Sequence, residues 1–160
     1  DGSPAERWDV PEALAGAGAL VSTANDLLQF LAANFASSRS PLADRLQVCH
    51  EIHATALPPQ GSAQRLARRL SRVGQDLSRC YQHMALGWFV GRLQSGANHV
   101  FWHHGATGGY RGFAGFVKDT STGVVVLANR EPGKRDLLLN KTDADDIGFA
   151  VLEHLHSSAA

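Results

Sequence analysis

From Phe101 to Asn129 the chain reads Phe-Trp-His-His-Gly-Ala-Thr-Gly-Gly-Tyr-Arg-Gly-Phe-Ala-Gly-Phe-Val-Lys-Asp-Thr-Ser-Thr-Gly-Val-Val-Val-Leu-Ala-Asn, with two adjacent histidines followed at once by glycine. Side chains two apart in a strand share a face. His103 and Gly105 therefore point one way and His104 the other. An imidazole that can carry charge, beside backbone stripped of a side chain, suits a ligand lying along the strand. The next N–H, from Ala106, is placed to meet a developing oxyanion. Thr107 and Gly108 sit where the chain bends away and, with Arg130 beyond the last strand, are candidate substrate contacts. The bland alternative for His103 is a strand histidine packed against Phe101 and Trp102. For His104 a packing or hydrogen-bonding role reads better.

Strands must carry these residues. Val124 to Ala128 is a continuous apolar run too short for a helix, which predicts a strand buried on both faces. Phe113 to Lys118 precedes it, with the turn between Lys118 and Gly123 and Gly123 free to take positive φ. Asn98 to Ala106 is the strand upstream, and Met84 to Leu93 the one before it, joined through a turn at Gln94 to Ala97. Helices flank the strands. Thr23 caps one that carries Leu27, Leu28, Phe30, Leu31 and Phe35, with Asp26 in its first turn. Pro41 to Ala54 predicts a second, with Leu42, Leu46, Cys49 and His53 on one side. Pro58 to Gly61 is a break, and Ser62 to Arg79 a third helical stretch. Arg65, Arg68, Arg69 and Arg72 line it, better read as a solvated face than as a surface for an acidic partner or lipid. A loop from Arg130 to Lys141 leads to a last helix, capped by Thr142 and predicted to dock through Ile147, Val151 and Leu155. The expected fold class is α/β (α+β): an antiparallel sheet of about four strands, a C-terminal helix packed on it and a helical segment before it. Residues 1–160 form a single domain, with 13–80 mainly helical, 84–130 stranded and 142–156 the closing helix.

Composition narrows the function. Fifteen basic residues balance fifteen acidic ones in 160, so no net charge draws nucleic acid or an anionic membrane. No apolar run approaches membrane-spanning length, and no targeting signal is visible. Cys49 and Cys80 read as two buried thiols in preference to a disulfide. Eight histidines invite a zinc site, and His50 and His53 would lie a turn apart on a helix. No His-Glu-x-x-His or Cys-x-x-Cys spacing accompanies them, so neither a metal nor a cofactor is expected.

The segment His103-His104-Gly105-Ala106-Thr107-Gly108-Gly109-Tyr110 resembles the Lys-Thr-Gly-x-Thr-Gly-Gly-Phe strand of class C β-lactamases. It resembles still more the His-x-Gly form of related serine esterases and D-Ala-D-Ala peptidases. Gly18 to Leu31 is similar to the helix after the family's Tyr-x-Asn region, Leu86-Gly87-Trp88 to the strand entering its C-terminal sheet, and Val124 to Asn129 to its last strand. The resemblance implies a partial β-lactamase/transpeptidase-like fold and acyl transfer to serine followed by hydrolysis. It also implies a periplasmic or secreted location and a small acyl substrate: an ester, a β-lactam or a D-Ala peptide. His103 would hold a substrate carboxylate or assist a tyrosine base, and Ala106 would supply one N–H of the oxyanion hole. The family's nucleophile lies in Ser-x-x-Lys, and no serine here has lysine three residues later; no Tyr-x-Asn or Tyr-x-Ser occurs either. The expectation is therefore the C-terminal portion of a longer hydrolase, inactive alone, with its sheet edge covered by the missing N-terminal portion or by a second copy. The rival expectation is a non-catalytic ligand-binding or interaction module.

Overall fold

The computed structural model describes residues 4, 6, 8–55, 80–97, 99–130 and 143–159. A short 3-10 turn, Glu12–Leu14, runs into α1 (Ala15–Gly18), α2 (Ala24–Ala33) and α3 (Ala43–Val48). Six strands follow: β1 (Ala54–Thr55), β2 (His83–Ala85), β3 (Trp88–Gly91), β4 (Val100–Thr107), β5 (Tyr110–Val117) and β6 (Thr122–Ala128). Helix α4 (Ala144–Ala159) closes the chain. The sheet is antiparallel throughout, and each strand pairs with the next in sequence. The predicted break at 58–61, the Arg-lined stretch at 62–79 and the loop at 131–141 with its Thr142 cap lie outside the described residues.

The sheet has six strands, not about four. The run from Met84 to Leu93 is two strands, because Leu86 and Gly87 turn the chain and Gly87 adopts a φ of +79° that favours glycine. The helix predicted to reach Ala54 stops at Val48, and Ala54 and Thr55 instead pair with Met84 and His83. The turn after β5 takes its positive φ at Ser121 (51°), not at Gly123. Gly123 serves a different end. It lies in β6 opposite Phe116, and a Cβ there would come within 3.3 Å of Leu31 Cδ1, so glycine lets α2 approach the sheet.

Each face of the sheet carries a cluster of buried rings, but β6 is not buried on both faces as its apolar run predicts: only Val124 is buried, and Leu127 is 50% exposed. Val100 and Trp102 of β4, Phe113 and Val117 of β5 and Val124 of β6 pack under α4 against Ala144, Phe149 and Leu152. Phe101, Phe116 and Val90 face the other way, with Trp88 and Leu31 of α2. Helix α4 docks differently from the expected stripe. Ile147, Val151 and Leu155 are 44%, 38% and 39% exposed, whereas Ala144, Phe149 and Leu152 are buried. Gly148 decides the rotation: a Cβ there would overlap the Phe113 ring, so the helix presents its smallest residue to an aromatic ring of the sheet.

Local capping follows simple rules. Thr23 Oγ1 accepts the Asp26 N–H at 3.2 Å and so caps α2 as expected. At α4 the described cap is Asp143. Its carboxylate accepts from the N–H groups of Asp145 (3.0 Å) and Asp146 (3.1 Å), and Asp146 returns a bond to the Asp143 N–H at 3.0 Å. The Glu153 carboxylate then accepts from the N–H of Gln94 (2.5 Å) and Ser95 (3.0 Å), tying α4 to the turn before β4. Cys49 and Cys80 are both half-buried, so neither is the fully buried thiol expected.

Candidate functional site

Strand β4 is supported unevenly. Its first residues have partners on both sides: Val100 to Trp102 pair with β3 and with β5. The β3 register ends at Phe89↔Trp102, because the chain turns back into β2 just before it. From His103 to Thr107 only β5 pairs with β4, and among the described residues no strand lies on the other side. One edge of this stretch is therefore open. Strand alternation puts Trp102 and His104 on the α4 face and Gly105 on the opposite one. The His103 ring instead lies at the open edge, against Phe89, which shares the face of Trp102, and 6.2 Å from the His104 ring.

His103 is exposed, and its ring stacks on Phe89 with centroids 5.2 Å apart and planes 15° apart. Its Nδ1 lies 2.7 Å from the main-chain oxygen of His104. A carbonyl oxygen only accepts, so Nδ1 carries the hydrogen. Neutral His103 thus presents the lone pair of Nε2 and receives a hydrogen bond there. Only the protonated ring donates from both nitrogens. A carboxylate ligand would require the charged form, whereas a hydroxyl ligand suits the neutral one.

His104 turns away and reaches helix α4. Its Nδ1 donates to Asp145 Oδ2 at 2.7 Å, and the Asp145 side chain is only 5% exposed. Gly105 faces open space: a Cβ there would meet nothing within 4 Å. Ala106 is exposed and pairs with Arg111 of β5. Thr107 pairs with Tyr110 across the turn. Gly108 lies under Trp8, whose indole occupies the place where a Cβ would stand. Arg130 follows β6 at the same end of the sheet, since Ala128 pairs with Arg111 and Arg111 with Ala106. His103 to Gly108 thus form one contiguous strip, and Arg130 leaves the sheet two strands away.

Three neighbours of this strip carry no local sequence signal. Phe89 stacks on His103 only because β3 pairs with β4, Trp8 reaches Gly108 from the far N-terminal segment, and Asp145 lies 41 residues from His104. His50 and His53 do not share a helix. His50 is buried between Phe101 and Phe116, and the His53 N–H extends the β1–β2 ladder to Met84 O at 2.9 Å. Among the described residues no group of three His, Cys, Asp or Glu side chains could hold a metal ion, and no helix is long and apolar enough to cross a membrane.

The family model described as Beta-lactamase matches residues 1–148. Neither a curated protein nor a solved structure matches the chain.

Proposed function

The chain belongs to the β-lactamase family, and from that premise we propose that β4 is the substrate strand of a serine acyl hydrolase. The observation that carries this reading is the open edge of His103 to Thr107, with the unfilled space over Gly105 beside it. An acyl substrate would lie along that edge. The Ala106 N–H would stabilise negative charge on its carbonyl oxygen, where fixed donors act most strongly in the transition state. His103 would take a proton-bearing group on Nε2, such as a tyrosine hydroxyl brought by another segment, or would hold a substrate carboxylate once protonated. Thr107, Gly108 and Arg130 would lie at the far end of that edge. The attacking serine comes from outside this sequence, which contains no Ser-x-x-Lys. The segment that brings it, or a second copy of the chain, would cover the open side of the sheet. Histidine in place of the lysine of Lys-Thr-Gly favours an ester or D-Ala peptide over a β-lactam as substrate, in a periplasmic or secreted setting. The missing nucleophile also supports a second reading: a module that binds an acyl-D-Ala ligand without cleaving it.

Two measurements test what the readings share, and the parent gene separates them. Intact-mass analysis after incubation with a fluorophosphonate or a penicillin should show no adduct on this chain, and a stoichiometric serine adduct would overturn the proposed division of labour. A diacetyl-Lys-D-Ala-D-Ala peptide should shift the amide signals of Gly105, Ala106 and Thr107. Gly105→Val should fold normally, because nothing lies within 4 Å of the new Cβ, yet lose those shifts. Shifts centred elsewhere, or retained in Gly105→Val, would remove β4 as the site. A parent gene encoding Ser-x-x-Lys favours the enzyme, and one without it the binding module.

A further inference from the structure

We infer that His104 is a positioning residue for His103, held in place by the buried carboxylate of Asp145; this rests on β4 being the site strand. The contacts run from α4 through the main chain of His104 to the His103 ring at the open edge. Asp145 accepts from His104 Nδ1 at 2.7 Å, and the main-chain oxygen of the same His104 accepts from His103 Nδ1 at 2.7 Å. The far end of this relay is firmly placed. The Asp145 N–H is taken by Asp143, and α4 is seated on the sheet by Phe149 against Trp102 (5.0 Å) and Phe113 (5.3 Å). A buried carboxylate is costly to leave without its hydrogen-bond partner, so the pair has one favoured arrangement.

The middle of the relay is where an anchor matters. The carbonyl that receives His103 belongs to the peptide between His104 and Gly105, and glycine restrains its backbone less than any other residue. The β5 ladder holds that peptide on one side only, through His104 opposite Phe113 and Gly105 opposite Gly112, and the open edge leaves it room to tilt. A fixed His104 side chain limits that tilt, so that the oxygen keeps selecting which His103 nitrogen carries the hydrogen. One aromatic ring reinforces the arrangement from the side. Phe89 stacks on His103 at 5.2 Å and meets His104 edge-on at 6.1 Å, so both imidazoles are packed against the same surface. The consequence for the site is chemical: with the relay intact, Nε2 of neutral His103 is an acceptor.

The test reads tautomers directly. Long-range ¹H–¹⁵N spectra of the chain labelled at histidine nitrogens, with His103 assigned through His103→Gln, should show the Nδ1–H form of neutral His103. The double variant His104→Phe/Asp145→Leu keeps a ring beside Trp102 and removes both sides of the His104–Asp145 contact together. In it the ratio of Nδ1–H to Nε2–H should fall about five- to tenfold, the worth of one hydrogen bond. His104→Asn, whose amide N–H can stand where Nδ1–H stood, should restore the wild-type ratio. Asp145→Asn keeps an acceptor oxygen without its charge and should lower the ratio about two- to threefold. A wild-type ratio in Asp145→Asn, or in the double variant where it folds, overturns the inference, as does equal loss in His104→Asn. None of this needs a ligand. A failed D-Ala peptide titration therefore counts against the site reading alone, and an unchanged tautomer against the relay alone.

Discussion

On the α4 face the sheet is closed by rings locked against glycines; on the α2 face it is closed by rings gathered round a buried, neutral histidine. Under α4, Phe113 fills the space left by Gly115 and Gly148, and Trp102 packs against Phe113 and Phe149. The polar groups of that face, His104 and Asp145, sit at its rim as an acid–imidazole pair. Under α2, His50 Nε2 lies 2.9 Å from Asn34 Oδ1, while Asn34 Nδ2 donates to Phe30 O at 2.7 Å. Asn34 Oδ1 must therefore accept and His50 Nε2 donate. Nδ1 of His50 is buried without a partner among the described residues, so a second proton would have nowhere to go. Steric fit governs one face and protonation the other, and the two should fail under different insults.

The largest expected effect tests the steric face. Gly148→Val would drive a branched side chain into the Phe113 ring. Destabilisation of about 3 kcal/mol is expected, at the upper end for overpacking in a closed core. Urea unfolding measures it, and a loss below about 1 kcal/mol would mean that α4 can lift from the sheet without penalty. Acid should strike the other face. Burial first, and then the Lys118 charge, push the His50 pKa from 6.5 down to about 4. The unfolded chain takes this proton near pH 6.5 and the folded chain only near 4. The contribution is therefore complete above 6.5, is lost as pH falls from 6.5 towards 4, and amounts to about 3 kcal/mol at most. His50→Phe should flatten that part of the stability profile in melts across the range. An unaltered profile would show that His50 does not titrate as its surroundings dictate. The smallest effect sharpens the boundary of the steric face. Val151→Asp lies on the outer side of α4, so its stability should stay within about 0.5 kcal/mol of wild type. A larger loss would mean that something covers this side of the helix.

Local signals in the sequence mapped well onto local structure. Thr23 capped its helix and Val124 to Ala128 formed a strand, because each depends on neighbours a few residues away, whereas alternation did not part the rings of His103 and His104, which both meet Phe89. What escaped depended on partners far along the chain. Ile147, Val151 and Leu155 form as regular a stripe as Ala144, Gly148 and Leu152, and only the bulk of Phe113 across the interface chooses between them. The run from Met84 to Leu93 is apolar enough for one strand, and Gly87 was the one mark of the turn inside it. Asp145 read as a charge suited to a helix N-terminus, which it is, but its contact with His104 had no counterpart in the local pattern. His50 lies 16 residues from Asn34 and gave no hint that it was a core residue.

The order in which the strands pair bears on how quickly the molecule can assemble. From β2 to β6 every strand finds its partner next in the chain, across turns at Leu86–Gly87, Gly108–Gly109 and Lys118–Ser121 and the short link from Arg92 to His99. Among the described strands only β1 with β2, through Ala54 with Met84 and Thr55 with His83, closes the sheet over a long stretch of sequence. Chains whose contacts are near in sequence fold faster, at equal stability, than those built on distant pairings, because less loop entropy is lost before contact is made. The site strand belongs wholly to the near-neighbour part. Its register is set by the hairpin with β5, independently of that long closure at the opposite edge.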